Sequence, residues 1–292
     1  MSAAPSLEEA VAALPPRGRR FQARLFFSLK RAQLLNFLGA GGGYFIQYDH
    51  AASVVPDRAP FPEIRALCDA SPWAEHLARM ASHIDEFRRF GDGPHDPVWI
   101  NRMFDALDGA AAFAAVRHFR PRRIIEVGSG NSTFFMARAA SADTHITCID
   151  PAPRRAISEL PVTLHQRVLM ADDAALMEEL EAGDILFIDS SHIMLPGTDV
   201  DILFNRCFPR LKPGVVVHIH DIFLPNGYPP SWDRRNWNEQ SALHGWLVSG
   251  FFRIIYPGHY VTAYHPDRID SAFAGFEPCL YKYAGSLWLQ RS

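Results

Sequence analysis

The chain has 292 residues, of which 48% are hydrophobic and 21% charged, and its formal net charge is -3. The length suits one large domain, or a domain with an extension, and the hydrophobic share is sufficient for a substantial core. A weakly acidic chain has no overall basic field to attract phosphate backbones. We therefore expect no nucleic-acid partner.

The cysteines and the N-terminus favour a cytoplasmic location. The four cysteines are widely separated and show neither a CxxC pair nor the spacing of a zinc site. No apolar run approaches the roughly 18 residues needed to span a bilayer. Glu8 and Glu9 stand where a signal peptide carries positive charge, so we expect no export signal.

The first 97 residues predict a mainly helical or irregular extension that acts as a cap or an oligomer contact. Proline-rich joints at "VVPDRAPFPE" and "GDGPHDP" flank a helix-like stretch, "SPWAEHLARMASHIDEFRRF". Residues 17–31 mix basic side chains with "LFF" and contain no acidic residue. This pattern favours an amphipathic helix packed on the main domain or on another subunit of a homo-oligomer, with contact to a membrane surface as the weaker alternative.

Residues 98–292 predict an α/β domain. Short apolar runs alternate there with helix-like segments, and the runs are "RRIIEVG", "HITCID", "TLHQRVLMAD", "GDILFID", "GVVVHIHD", "FFRIIY" and "GSLWLQ". Unbroken apolar runs separated by helices are typical of parallel strands that are covered on both faces. We therefore expect a doubly wound, mostly parallel, seven-stranded Rossmann-like sheet, with ligands at the carboxyl ends of its strands.

A glycine turn, "EVGSGNST", follows the first predicted strand. Gly128 and Gly130 allow a tight turn with close approach of a ligand, and Asn131 or Ser132 can cap the next helix. The dinucleotide fingerprint would require a third glycine three residues after Gly130, where the chain has threonine. Glu126 adds negative charge, which suits a cationic ligand better than a pyrophosphate.

Acidic residues follow the next two predicted strands. Asp150 ends "CIDP", where a carboxylate can accept both ribose hydroxyls of an adenosine. The third predicted strand ends in "MADDA", which offers Asp172 or Asp173 to an adenine amine. Together with the turn, these acids predict a nucleoside pocket.

The segments "IIEVGSGNST", "ITCIDP", "GDILFIDSSH", "HIHDIFLP" and "RRNWNEQ" together resemble the class I S-adenosylmethionine-dependent methyltransferases, and within them methyltransferase family 24. The resemblance covers roughly Trp99 to Leu289. It implies S-adenosylmethionine as cofactor, with its methionine part at the glycine turn, its ribose at Asp150 and its adenine near Asp172. The cofactor-binding residues expected on this basis are Glu126, Gly128, Ser129, Gly130, Asn131, Asp150, Asp172 and Asp189.

Candidate catalytic residues lie at the ends of the fourth and fifth strands. "FIDSSH" supplies Asp189 and His192, and "HIHD" supplies His220 and Asp221. Because these strands are expected to be neighbours, the four side chains should share one cleft. We expect His220 to be the general base, supported by His192 and Asp221, because imidazole accepts a proton near neutral pH. Strand alternation places Asp221 on the opposite face from His220, and His218 is expected in the core.

A metal-assisted mechanism is the alternative at the same place. Asp189 and Asp221 can hold Mg²⁺, which would acidify an acceptor hydroxyl. The sequence favours it less, because histidine stands where a hard cation requires oxygen. The aromatic and polar segment "IFLPNGYPPSWDRRNWNEQ" is expected to face the acceptor.

The sequence therefore predicts an enzyme that transfers a methyl group to a small molecule, most simply a hydroxyl of a sugar or secondary metabolite. Two alternatives of other classes stay open. One is an NAD-type oxidoreductase on the same sheet, and the other is a non-catalytic protein that binds a nucleoside or a partner.

Overall fold

The computed structural model describes residues 54–91, 93–101, 103–280 and 284–292. Seven strands form one sheet in the order β3-β2-β1-β4-β5-β7-β6, and β7 runs antiparallel to its neighbours. The predicted fold class is therefore confirmed. The strands are β1 (Arg123–Val127), β2 (His145–Ile149), β3 (Val162–His165), β4 (Ile185–Ile188), β5 (Val216–Ile219), β6 (Phe252–Pro257) and β7 (Leu287–Arg291).

Ten α-helices occur in the described parts of the chain, three of them within the first 97 residues. The three are α1 (Pro62–Asp69), α2 (Trp73–Ala81) and α3 (Ile84–Phe87). The others are α4 (Ala106–Phe119), α5 (Asn131–Ala139), α6 (Ala174–Glu178), α7 (Asp199–Ile202), α8 (Glu239–Val248), α9 (Gly258–Tyr264) and α10 (Pro266–Ala272).

The apolar runs form the central strands because they can be covered on both faces. All four residues of β4 and all four of β5 are buried. β4 pairs in parallel with β1 on one side and with β5 on the other. The carboxyl ends of β1, β4 and β5 therefore meet at one edge of the sheet, where the sequence places its glycine turn and its polar residues.

The chain divides into two compact units. One comprises Met1–Arg58 with Tyr228–Asn236, and the other comprises Ala59–Gly227 with Trp237–Ser292. The second unit contains the whole sheet together with helices α1 to α3. The predicted boundary between residues 97 and 98 stays a prediction, and the basic segment 17–31 lies outside the described residues. None of the described helices is both long enough and apolar enough to cross a membrane.

Candidate active site

The glycine turn brings the ends of β1 and β4 into close contact. Gly128 has φ 96°, a left-handed conformation that side chains other than glycine rarely adopt. A Cβ atom at this position would lie 2.0 Å from the carbonyl oxygen of Asp189. Glycine is therefore required here by the approach of a neighbouring strand as well as by the turn.

Glu126 lies beneath this turn and is fully buried. Its two carboxylate oxygens accept hydrogen bonds from Ser132 Oγ at 2.5 Å and from Thr133 Oγ1 at 2.7 Å. Burial raises the pKa of the Glu126 carboxyl to about 7, against the hydrogen bonds from the two hydroxyls. Glu126 is not among the residues that line the adjoining cavities, so the structure places it as a support of the turn.

The raised pKa of Glu126 predicts how stability depends on pH. The folded protein retains this proton up to about pH 7, whereas the ordinary value is 4.5, so the free energy of unfolding should fall as the pH rises through that window. Glu126→Gln should remove this fall, on the order of 3 kcal/mol. Melting temperatures at acidic and alkaline pH measure it, with the exposed Glu178→Gln as control. Parallel pH profiles of the wild type and Glu126→Gln would contradict the assignment.

The sequence suggested that Asn131 or Ser132 caps the helix after the turn, but neither residue does so. Helix α5 begins at Asn131, so the capping position is Gly130, whose N–H donates to Thr133 Oγ1 at 3.1 Å. The Asn131 side chain instead accepts from the backbone N–H of Val98 at 2.9 Å and donates to the carbonyl of Val98 at 2.7 Å. Asn131 thereby fixes the segment before α4 against the glycine turn.

A cavity of about 840 Å³ opens beside the turn. Ser129 Oγ donates to Asp150 Oδ2 at 2.7 Å, which joins the turn to the end of β2. The cavity continues to the segment after β3 and to the start of α7. Its lining includes Gly128, Ser129, Asp150, Pro151, Val168, Leu169, Met170, Ala171, Asp189, Thr198 and Asp199.

Asp172 does not reach this cavity. β3 ends at His165, so "MADDA" forms a short 3-10 turn well beyond the strand end. Asp172 is exposed and is absent from the lining. Its neighbour Asp173 accepts two hydrogen bonds from Arg167, at 2.7 and 2.6 Å. The apolar residues before Asp172 line the cavity in its place.

Four predicted residues meet at the ends of β4 and β5, and we call them the Asp/His cluster: Asp189, His192, His220 and Asp221. His192 Nε2 lies 3.6 Å from Asp189 Oδ1 and 3.6 Å from Asp221 Oδ2. His220 Nδ1 lies 3.5 Å from Asp189 Oδ1 and 3.7 Å from Asp221 Oδ1. Each imidazole therefore faces both carboxylates, as the order of the strands predicted.

The expected alternation between His220 and Asp221 is wrong. β5 ends at Ile219, and Asp221 has φ 55°, so the chain turns and directs its carboxylate back toward His220. His192 also has a left-handed φ, 60°. Such conformations are costly for residues other than glycine and often mark functional sites. His218, which precedes the turn, is a core residue as expected, with Nε2 2.8 Å from Ser286 Oγ.

Two buried carboxylates that the sequence analysis did not select stand behind the imidazoles. His192 Nδ1 donates to Glu239 Oε2 at 2.9 Å, and His220 Nε2 lies 3.3 Å from Asp108 Oδ2. Both carboxylates are fully buried. Asp108 also accepts from the backbone N–H of Ser286 at 2.9 Å. The polar faces of both rings are thus fixed by outer carboxylates, the usual arrangement around metal-ligating histidine.

The "WNEQ" motif organises the loops that carry the cluster. Asn238 Oδ1 accepts from the N–H of Met194 at 2.7 Å, while Gln240 Oε1 accepts from the N–H of Phe223 at 2.8 Å. Between them, Glu239 holds His192. The three side chains therefore fasten the loop after β4 and the loop after β5 to the start of α8.

The carboxylates keep the imidazoles charged. Burial alone would lower the pKa of His192, but the nearby carboxylate of Asp189 and the hydrogen bond to Glu239 raise it to about 10. Burial likewise opposes the charged form of His220, yet the charges of Asp221 and Asp189 raise its pKa well above 6.5. The same interactions hold the pKa of Asp189 well below its usual value. The surrounding carboxylates therefore favour the charged form of His220.

Comparison with protein-family models matches residues 125–222 to a methyltransferase domain, and the match runs from β1 to the residue after Asp221. Over this range the chain is similar to that methyltransferase family, as the resemblance in the sequence implied. The matched range contains the glycine turn, Asp150 and the whole Asp/His cluster. The match favours methyl transfer over the oxidoreductase alternative.

The similarity of this chain to individual proteins is limited in length or in sequence identity. An uncharacterized protein of Archaeoglobus fulgidus is 38% identical over 63 residues, which are 20% of this chain and 28% of that protein. The chain thus spans little more than a quarter of that relative's length. An O-methyltransferase of Streptomyces achromogenes involved in tomaymycin synthesis, solved with S-adenosylmethionine, is 18% identical over 75% of this chain and 90% of its own, with a TM-score of 0.40. An O-methyltransferase of Bacillus cereus, solved with S-adenosylhomocysteine, is 13% identical over 78% and 96%, with a TM-score of 0.42.

Proposed function

We propose that the enzyme transfers the methyl group of S-adenosylmethionine to a hydroxyl of a small molecule, such as a sugar or secondary metabolite. The observation that carries the proposal is the position of Asp189, which lines the cavity and also belongs to the Asp/His cluster. Chemistry at the cluster can therefore act on a group held in the cavity. Methyl transfer from a sulfonium requires mainly that the acceptor be positioned and its proton removed.

The cavity offers separate surfaces for the parts of the cofactor. Gly128 and Ser129 present backbone to the methionine part, and Asp150 provides a carboxylate for the ribose hydroxyls. The apolar stretch from Val168 to Ala171 provides a surface for the adenine ring. The roles first expected of Glu126 and Asp172 in contacting the cofactor have no support in the lining of the cavity.

The Asp/His cluster fits a divalent cation. Ligand atoms of Asp189, His220 and Asp221 lie within 4.8 Å of one another, and His220 Nδ1 is buried without a hydrogen-bond partner in the described structure. Around a dication with bonds of ~2.1 Å, neighbouring ligand atoms are roughly 3–3.5 Å apart. The 3.5 Å between His220 Nδ1 and Asp189 Oδ1 is near this spacing and long for a hydrogen bond.

Charge balance supports the same assignment. The two histidines are surrounded by the buried or half-buried carboxylates of Asp108, Asp189, Asp221 and Glu239. Even with both imidazoles protonated, the four carboxylates leave this group with two uncompensated negative charges, which are costly to bury. A divalent cation supplies the missing charge. We therefore propose that Asp189, His220 and Asp221 hold such a cation, although the sequence favoured His220 as the base.

The chain's own residues then have distinct tasks. Asp189 and Asp221 would provide carboxylate oxygens to the cation, and His192 lies 3.6 Å from each of the two carboxylates. Asp108 and Glu239 hold the imidazoles of His220 and His192. A bound divalent cation would lower the pKa of an acceptor hydroxyl, so that it reacts as its anion.

Cofactor binding tests the first half of the proposal. We expect S-adenosylhomocysteine to bind, and Asp150→Ala to weaken its binding by about 1.5–3 kcal/mol, because charge-assisted hydrogen bonds to the ribose are lost. Calorimetry on both proteins measures the difference, and the exposed Asp143→Ala is the control. Undiminished binding by Asp150→Ala would remove Asp150 from the cofactor site.

Methyl transfer itself is tested by mass spectrometry of small molecules that co-purify with the protein, followed by a panel of hydroxylated acceptors with isotopically labelled S-adenosylmethionine. Incorporation of label into an acceptor oxygen supports the proposal. Label on nitrogen alone, or bound cofactor with no transfer to any acceptor, would contradict it.

A further inference from the structure

A second, smaller cavity adjoins the first. It has a volume of about 190 Å³ and shares Ser129, Arg154 and Asp189 with the lining of the larger cavity. Phe104 lines its wall, and the Phe104 ring lies 5.1 Å from the His220 ring. The small cavity thus touches both the cofactor cavity and the Asp/His cluster. Its other lining residues are Val98, Asn101, Met103, Gly130, Asn131, Ser132 and Arg155.

One wall of the small cavity is apolar and firmly held. Val98 and Met103 are 44% and 51% exposed although their side chains are hydrophobic. Asn131 bonds to Val98 and donates to the Phe104 carbonyl at 3.1 Å, so the segment that carries them is tied to the glycine turn. An apolar surface kept in place beside a reactive cluster is typical of a small-molecule site.

The rim of the small cavity carries positive charge that no carboxylate neutralises within the described structure. Arg154 is exposed and has no hydrogen-bond or ion-pair partner there. Arg155 donates only to uncharged oxygens, namely Asn131 Oδ1 at 2.9 Å and the carbonyls of Pro94 and Asp96 at 3.2 and 3.1 Å. The acid in the lining, Asp189, already faces two histidines.

We propose that the small cavity is the acceptor site and that the acceptor is a small hydroxylated anion, a carboxylate or a phosphate, with Arg154 as its counter-ion. This inference rests on the proposed methyl transfer. The volume suits about one ring with its substituents, the apolar wall covers the ring, and the hydroxyl is directed to the Asp189 end. The same guanidinium chemistry would also suit the carboxylate of the cofactor, so the experiment separates these two sources.

The test is calorimetry with 3,4-dihydroxybenzoate and its uncharged analogue 3,4-dihydroxybenzamide on protein saturated with S-adenosylhomocysteine. We expect the carboxylate to bind about tenfold more tightly than the amide, and Arg154→Gln to abolish that preference. Arg210→Gln, which removes a surface arginine paired with Glu178, is the matched control and should keep the preference.

The cofactor arm uses S-adenosylhomocysteine and 5′-methylthioadenosine, which lacks the carboxylate. If Arg154→Gln weakens the binding of S-adenosylhomocysteine but not that of 5′-methylthioadenosine, Arg154 binds the carboxylate of the cofactor and the inference is wrong. Equal binding of the two benzoyl compounds to the wild type, or binding of neither, also overturns it while leaving methyl transfer intact. Failure of S-adenosylhomocysteine to bind wild-type protein refutes the proposed function, and the inference fails with it.

Discussion

Replacing His220 with glutamine should lower the rate of methyl transfer by about 10²–10⁴-fold, with little change in the affinity for S-adenosylhomocysteine. His220 Nδ1 faces both Asp189 and Asp221, whereas His220 is absent from the lining of the cofactor cavity. The expected loss therefore falls on the chemical step and not on cofactor binding. The measurement is the rate of label transfer at saturating cofactor, with calorimetry on the same preparations.

Two further variants distinguish a loss of the chemical step from a loss of folding. His145→Gln changes an exposed histidine at the start of β2 and should leave the rate unchanged. Asp108→Asn retains the shape of the outer carboxylate behind His220 but removes its charge, and it should cost about 10–100-fold. If His220→Gln retains the wild-type rate, the cluster takes no part in the reaction.

The seven strands were predictable because local composition determines them. A strand covered on both faces requires an unbroken apolar run. Short runs such as "GDILFID" and "GVVVHIHD" are therefore typical of buried parallel strands. The meeting of Asp189 with His220 followed from the same pattern, since neighbouring parallel strands end at one edge of the sheet.

Residues whose role depends on distant partners were not predictable. Asp108 lies in the apolar helix "ALDGAAAFAA", and nothing local shows that it accepts from Ser286 and faces His220. A carboxylate within such a run was nevertheless a signal, because an isolated buried charge requires a partner. Glu239 was visible in "WNEQ", but its direction toward His192 depends on how two loops meet.

The errors at Asp172 and Asp221 have a common origin, because both residues were placed by extending a strand too far. β3 ends at His165 and β5 at Ile219, each before the acidic residue. Alternation and the rule of strand-end ligands apply only while the backbone is extended. Because the chain turns after Ile219, the Asp221 carboxylate lies within the Asp/His cluster. Asp172 lies well beyond the end of β3 and does not line the cavity.

Removal of divalent cations should abolish methyl transfer, and adding a cation back should restore it. Asp189, His220 and Asp221 provide two carboxylates and one imidazole, a donor set that suits Mn²⁺ or Zn²⁺ better than Mg²⁺. We therefore expect recovery after EDTA treatment to be greater with Mn²⁺ or Zn²⁺ than with Mg²⁺. Elemental analysis of the purified protein provides a readout that does not depend on the acceptor.

Asp221→Asn should reduce both the bound metal and the rate as severely as chelation does, because one charged ligand is lost. The exposed Asp143→Asn is the control and should retain both.

The alternative mechanism makes the opposite prediction: if His220 acts as the general base, EDTA-treated enzyme keeps its full rate and the purified protein holds no stoichiometric metal. Burial lowers the pKa of His220, but the carboxylates of Asp221 and Asp189 raise it well above 6.5. Since a general base must be deprotonated to act, activity under that mechanism would also rise toward alkaline pH. Full activity after chelation would therefore return the proton-accepting role to His220.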